Sequence, residues 1–140
     1  MRDPAYAAFS ALEPFFEVVM RGLSGLVDGA HYFDAIAADA VFEFRYRFPN
    51  YPTRVAGRPA LMALYSGYGA NMRLHGAGGL VVNISQTPGV VVLEYEVQGN
   101  AVATGKVYEN RFVSVVTIKD RKIVGWRDYM DSLAAMSALT

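Results

Sequence analysis

The sequence contains no cysteine and only two histidines, His31 and His75. Without cysteine the chain has no disulfide, no thiolate nucleophile and no cysteine-bound metal. The two histidines are 44 positions apart, and neither belongs to an HxxxH or HExxH pattern, whereas zinc and non-haem iron sites need converging imidazoles. We therefore expect no metal site and no cofactor.

An excess of charge of one sign is also missing, because 13 basic residues balance 13 acidic ones. Nucleic acid is not expected as a partner, since phosphate binding needs a basic face. Long hydrophobic runs are absent too: glycines, Pro88 and polar residues interrupt the uncharged stretch over residues 75–93. The N-terminal segment carries Asp3, Glu13 and Glu17 where a signal peptide would be continuously apolar. We expect a cytoplasmic protein with no membrane span.

Apolar residues make up 53% of the 140 positions. At this length, folding buries somewhat under ~70% of the surface that the unfolded chain exposes, which is enough for a core without disulfides or a structural metal. The sequence has no repeat, linker or low-complexity segment. We therefore predict one domain over residues 1–140.

Proline and capping residues predict three helices before most of the strands. The pair Asp3 and Pro4 opens the first helix, which Pro14 must break into two pieces because proline lacks the N–H of the helical hydrogen bond. Asp28 is expected to cap the second helix. Pro59 is expected to open the third, which ends at a pair of glycines.

Alternation of side chains predicts the strands. Residues 41–48 place Phe42, Phe44, Tyr46 and Phe48 on one face and charged residues on the other. The glycine-rich segment 75–79 is expected to be a loop. Four further runs are separated by turn sequences: residues 80–86, 90–97, 107–118 and 123–130. Helices first and strands afterwards predict an α+β fold, with helices on one face of a strongly curved antiparallel sheet.

Two of these strands carry apolar residues on both faces, over residues 90–97 and 107–118. Strands of this kind need cover on each side. The helices can cover only one face, so we expect the outer face of the sheet to form a homodimer.

The last predicted strand places a carboxyl group among apolar side chains. Alternation puts Val124, Trp126, Asp128 and Met130 on one face. If this is the inner face, burial raises the pKa of Asp128 toward the range that suits a general acid or base. The alternative is that Asp128 is a structural ion-pair partner of Arg111 or Arg127.

Several segments carry a family resemblance that spans essentially the whole chain. They are Asp-Ala-Val-Phe-Glu-Phe at 39–44, Gly-Arg-Pro-Ala-Leu at 57–61, Tyr-Glu-Asn-Arg-Phe at 108–112 and Trp-Arg-Asp-Tyr-Met-Asp at 126–131. In this order they resemble the SnoaL-like and ketosteroid-isomerase-like superfamily, whose cone-shaped, cystatin-like fold is also that of nuclear transport factor 2. The resemblance implies a single SnoaL-like domain.

The closing hairpin is most similar to those of phenazine-biosynthesis A/B proteins and limonene-epoxide-hydrolase-like proteins, where the acid that matches Asp128 is an active-site residue. Other matching positions depart from the family. Val113 stands where the epoxide hydrolases have a second aspartate. Phe44 and Arg111 stand where ketosteroid isomerase has its general base and its oxyanion-hole aspartate. Neither complete residue set is present.

Two hypotheses follow. In the first, the protein is an enzyme in which Asp128 acts as general acid or base on a hydrophobic, cyclic small molecule, in an isomerisation, cyclisation or hydrolysis without a cofactor. Arg111 would keep Asp128 ionised or bind an oxygen or a carboxylate of the ligand. The pocket would be lined by Phe44, Tyr46, Trp126 and Met130. In the second, Asp128 and Arg111 form a structural ion pair in a non-catalytic binding or assembly module.

Overall fold

A computed structural model describes residues 4–140 of the protein. The helices are α1 (Glu13–Gly22), α2 (Arg58–Ser66) and α3 (Ser132–Leu139), with short 3-10 segments at Pro4–Leu12, Phe33–Ala35 and Tyr68–Ala70. The strands are β1 (Ile36–Phe44), β2 (Arg54–Ala56), β3 (Met72–Ile84), β4 (Val90–Ala101), β5 (Val107–Lys119) and β6 (Lys122–Met130). Within residues 4–140, no helix has the length and apolar character needed to cross a bilayer.

All six strands form one curved sheet in the order β2-β1-β6-β5-β4-β3. The later strands β3 to β6 pair antiparallel, as expected from the turns between them. The predicted α+β class is therefore confirmed. One pairing differs from the expected antiparallel sheet, because β1 runs parallel to β6. These strands lie at opposite ends of the chain, so no turn joins them and no local signal sets their direction.

The buried core lies between the sheet and the helices. Phe42 and Phe44 on β1 are buried, as the alternation predicts, and the ring of Phe42 stacks on that of Trp126 with centroids 5.6 Å apart. Tyr46 follows the end of β1 and packs against the core at its margin. α1 crosses β3 and β4. The helices thus cover one face of the sheet, whereas side chains such as Val113 and Tyr129 are exposed on the other face.

The helix predicted after Asp28 is wrong. Only the turn Phe33–Ala35 is helical there, and β1 begins at the next residue. The Asp28 carboxylate instead binds the Arg121 side chain, with 2.7 Å between Oδ1 and Nε. The third α-helix lies at the C-terminus, where Asp131 Oδ1 accepts hydrogen bonds from the first backbone N–H groups of α3.

The loop predicted at residues 75–79 is also wrong, because these residues belong to β3. The pairing of β3 with β4 shifts between Leu74 and Gly76 and again between Gly78 and Val81. A Cβ atom at the facing Gly99 would lie 2.2 Å from the carbonyl oxygen of Arg73. Glycine therefore permits the close approach and the bulges that curve the sheet around its inner face.

Candidate functional site

A cavity of about 460 Å³ lies between the inner face of the sheet, α2 and α3. Its wall is strongly aromatic, with nine phenylalanine and tyrosine side chains. Asp128 is the one charged residue on this wall among the described residues, and no lysine, arginine or histidine of residues 4–140 lines it. The remaining polar side chains are neutral: Asn50, Asn71, Tyr46, Tyr51, Tyr65, Tyr68 and Tyr108.

The Asp128 carboxyl group is 6% exposed and is held through one oxygen. Its Oδ1 accepts hydrogen bonds from Ser114 Oγ at 2.8 Å and from Trp126 Nε1 at 3.0 Å. The Tyr95 hydroxyl lies 2.7 Å from Ser114 Oγ. Because a serine hydroxyl has one hydrogen and donates it to Asp128, Tyr95 must donate to Ser114. A buried chain thus runs from β4 through β5 to β6, and Oδ2 accepts no hydrogen bond from the described residues.

Burial is the main cause of the raised pKa of the Asp128 carboxyl group. It raises the pKa of Asp128 from 3.8 to about 6, while the hydrogen bonds from Trp126 and Ser114 oppose the rise. No cationic side chain of residues 4–140 pairs with this carboxylate. Near neutral pH, therefore, a carboxyl group that can both take and return a proton lies at the cavity wall.

The surrounding tyrosines stay protonated near neutral pH. Burial, followed by the negative charge of Asp128, raises the pKa values of Tyr46 and Tyr51. Burial also raises the pKa of Tyr108, to about 12, with a hydrogen bond from Asn110 acting against the rise. The cavity therefore offers neutral hydroxyl donors around one acid.

The model of the SnoaL-like domain family matches residues 15–126, which is most of the chain. The protein belongs to this family. The match ends two residues before Asp128.

Individual relatives of this SnoaL-like domain agree with the assignment. The uncharacterized protein YesE of Bacillus subtilis (strain 168) is 30% identical over 100 residues, which are 71% of this chain and 68% of YesE. A crystal structure of a candidate isomerase from Bacillus subtilis has a TM-score of 0.74 at 24% identity, covering 98% of this chain and 95% of that one. A phenazine biosynthesis-related protein from Pseudomonas aeruginosa has a TM-score of 0.68 at 16% identity, covering 99% and 86%. At these identities the two structures establish the fold.

The SnoaL-like domain places three of the residues expected in a pocket on the cavity wall, namely Phe44, Tyr46 and Met130. Trp126 is not one of the lining residues: it is 1% exposed and lies behind Asp128, to which it donates its indole hydrogen. The lining role predicted for Trp126 is therefore wrong, although its side chain still acts on the site.

The predicted pairing of Arg111 with Asp128 is wrong, and it was part of both hypotheses. The Arg111 side chain is 87% exposed, and its Nε lies 3.4 Å from Glu96 Oε1. The register explains this, because Ser114 lies directly opposite Asp128. Arg111 is an odd number of residues away from Ser114 on the same strand and therefore points to the opposite face of the sheet.

Sequence reasoning missed Ser114, which donates a hydrogen bond to Asp128, and Tyr95, which contacts Ser114. Ser114 and Tyr95 lie within apolar strand segments, where a hydroxyl gives no motif. In residues 4–140, no group of three or more His, Cys, Asp or Glu is placed to hold a metal ion. The expected absence of a cofactor stays a prediction.

Proposed function

We propose that this SnoaL-like domain is a cofactor-independent enzyme that moves a proton on a hydrophobic, cyclic small molecule bound in the aromatic cavity. One observation carries the proposal: Asp128 is buried at the cavity wall, has no cationic partner among the described residues and holds its proton with a pKa of about 6. A general base is most effective when its pKa lies near the working pH.

In the proposed reaction the Asp128 carboxylate takes a proton from a carbon or oxygen atom of the ligand. The same carboxylic acid then returns the proton at a different atom, so the sum is an isomerisation or the proton-transfer part of a cyclisation. Ser114 and Trp126 keep Oδ1 engaged, which leaves Oδ2 to meet the ligand. The candidate isomerase and the phenazine-related protein that share the fold are consistent with small-molecule chemistry.

The test uses a cyclic ketone, 2-indanone, in D₂O, where removal and return of an α-proton replaces hydrogen by deuterium. We expect the protein to accelerate this exchange by about 10²- to 10⁴-fold over buffer, as general bases do, and expect Asp128→Asn to abolish the acceleration. Asp39→Asn, a change at an exposed carboxyl on β1, is the matched control and should exchange like the wild type.

A different result favours the alternative, a non-catalytic binding module. In that case 2-indanone binds to the wild type, as followed by protein NMR shifts, but its exchange rate stays at the buffer value. Asp128 and Arg111 form no ion pair. Support for the binding module therefore depends on ligand binding without exchange.

We also propose that the domain is a homodimer formed through the outer face of the sheet. Apolar side chains are exposed on that face, among them Val113 on β5 and Tyr129 directly opposite it on β6. Charged groups of both signs lie beside them, including Glu96 and Arg111. Such a surface can pair with a copy of itself.

A further inference from the structure

Asn110, on β5, is buried and its amide group has one defined orientation. The side chain is 4% exposed. Its Oδ1 accepts hydrogen bonds from two backbone N–H groups, those of Arg111 at 2.8 Å and Asp131 at 3.2 Å. Because backbone N–H groups can only donate, the other end of the amide must be the NH₂ group. The Asn110 Nδ2 atom is therefore the donor in each of its hydrogen bonds.

One of those partners is a cavity tyrosine. Asn110 Nδ2 donates to the Tyr108 hydroxyl at 2.8 Å and to the backbone oxygen of Asp131 at 3.0 Å, and it also lies 3.5 Å from the Met130 sulfur. Tyr108 and Asn110 are two residues apart on one strand, so their side chains share the inner face. Among the described residues, Tyr108 is the cavity tyrosine whose hydroxyl oxygen accepts a hydrogen bond from a buried side-chain amide.

This contact determines what the Tyr108 hydroxyl can do. Its oxygen is engaged as an acceptor by Asn110, while its own hydrogen meets no acceptor among residues 4–140. A hydroxyl group has one hydrogen to donate, and the Tyr108 ring lines the cavity. The hydrogen is thus available to a molecule in the cavity, and Tyr108 keeps it at neutral pH because its pKa is about 12.

The charge of the cavity wall limits which ligands can bind in the cavity. The cavity holds one carboxyl group, Asp128, and no lysine, arginine or histidine of the described residues. A second carboxylate close to Asp128 would be repelled, because water does little to screen two like charges in a buried cavity. An anionic ligand is therefore disfavoured, whereas a neutral oxygen would satisfy the hydroxyl hydrogen.

We propose that Tyr108, held by Asn110, donates a hydrogen bond to an oxygen of the ligand, so that the cavity selects uncharged cyclic carbonyl compounds over the matching hydrocarbons and acids. Tyr108 is the residue that touches the ligand, and Asn110 is a positioning residue. The inference rests on the proposed ligand site but not on catalysis by Asp128.

The test compares three probes that share one ring system: 2-indanone, indane and indane-2-carboxylate. Protein-observed NMR titration at pH 7.5 measures their dissociation constants. We expect the wild type to bind 2-indanone about 3- to 10-fold more tightly than indane, which is the range of one neutral hydrogen bond, and to bind the carboxylate most weakly. Tyr108→Phe should lose the preference for the ketone and keep its affinity for indane. Tyr129→Phe, on the exposed outer face, is the matched control.

Asn110→Asp tests the positioning role with a side chain of nearly the same shape. One carboxylate oxygen would replace the NH₂ group beside Tyr108, so the hydroxyl hydrogen would turn to the introduced carboxylate and away from the ligand. The same loss of ketone preference is expected, with no further loss when Asn110→Asp is added to Tyr108→Phe.

The proposal is overturned if the wild type binds 2-indanone and indane equally, or if Tyr108→Phe leaves the ketone preference intact. Binding of none of the three probes overturns both this inference and the proposed ligand site. Ketone preference without deuterium exchange removes the catalytic role of Asp128 and supports the role of Tyr108.

Discussion

Replacing Ser114 by alanine should raise the pKa of Asp128. The Ser114 hydroxyl donates a 2.8 Å hydrogen bond to Asp128 Oδ1, and it stabilises the carboxylate more than the neutral acid. Ser114 is fully buried, so bulk water has little access to replace it. Removing this donor therefore favours the protonated form of Asp128.

The size of the expected pKa shift follows from the strength of the hydrogen bond between Ser114 and the charged carboxylate. A hydrogen bond to a charged group contributes about 1.5–3 kcal/mol, and one pH unit corresponds to about 1.4 kcal/mol. The remaining hydrogen bond from Trp126 and local relaxation will recover part of the loss. We therefore expect the pKa of Asp128 to rise from about 6 by roughly one unit.

The assay is a pH titration of the Asp128 carboxyl carbon by ¹³C NMR, which needs no substrate. Tyr95→Phe should cause a smaller upward shift, because it weakens the donor strength of Ser114 through the buried chain. It should add nothing in a Ser114→Ala background. Ser66→Ala, an exposed change on α2, should leave the titration unchanged. An unchanged or lowered Asp128 pKa in Ser114→Ala would refute this reasoning.

Two further predictions concern stability and assembly. Burial raises the folded-state pKa of Asp128 from 3.8 to about 6, so the protonated acid favours folding and this stabilisation is lost as the pH rises from about 4 through about 6. In urea unfolding, the free energy of unfolding of Asp128→Asn should therefore increase by about 3 kcal/mol relative to that of the wild type between pH 3.5 and 7.5. An equal difference between the two proteins at both pH values would contradict this prediction. Val113→Glu should convert the expected homodimer to monomer in light scattering, whereas Val102→Glu, in the turn after β4, should not; a monomeric wild type at micromolar concentration would contradict the dimer.

The position of Asp128 shows what the alternation of side chains along β6 can predict and what it cannot. Asp120 and Arg121 both have positive φ, 52° and 62°, which is the geometry of a two-residue hairpin turn. An uninterrupted ladder from Lys119 and Lys122 would place Asp128 opposite Val113. The pairing shifts by one residue between Thr117 and Ile118, and Asp128 therefore lies opposite Ser114.

This shift is a bulge, and it moves every later residue of β6 to the other face relative to Ile123. Ile123 and Trp126 are consequently both buried although an odd number of positions separates them. Alternation within 124–130 could predict that Trp126 and Asp128 share a face. It could not predict that Ser114 is the residue of β5 that meets Asp128.

The features that depend on neighbours along the chain could be predicted from the sequence: α1 and α2 beside their prolines, the antiparallel pairing of β3 to β6 and the shared face of Trp126 and Asp128. The family was recognisable for the same reason, since its motifs are short segments in a set order. Three features became visible only in the folded structure: the parallel pairing of β1 with β6, the hydrogen-bond chain from Tyr95 to Asp128 and the contact of Asn110 with Tyr108. These features join residues through sheet register and burial, which arise only when distant segments pack together, and no local propensity encodes them.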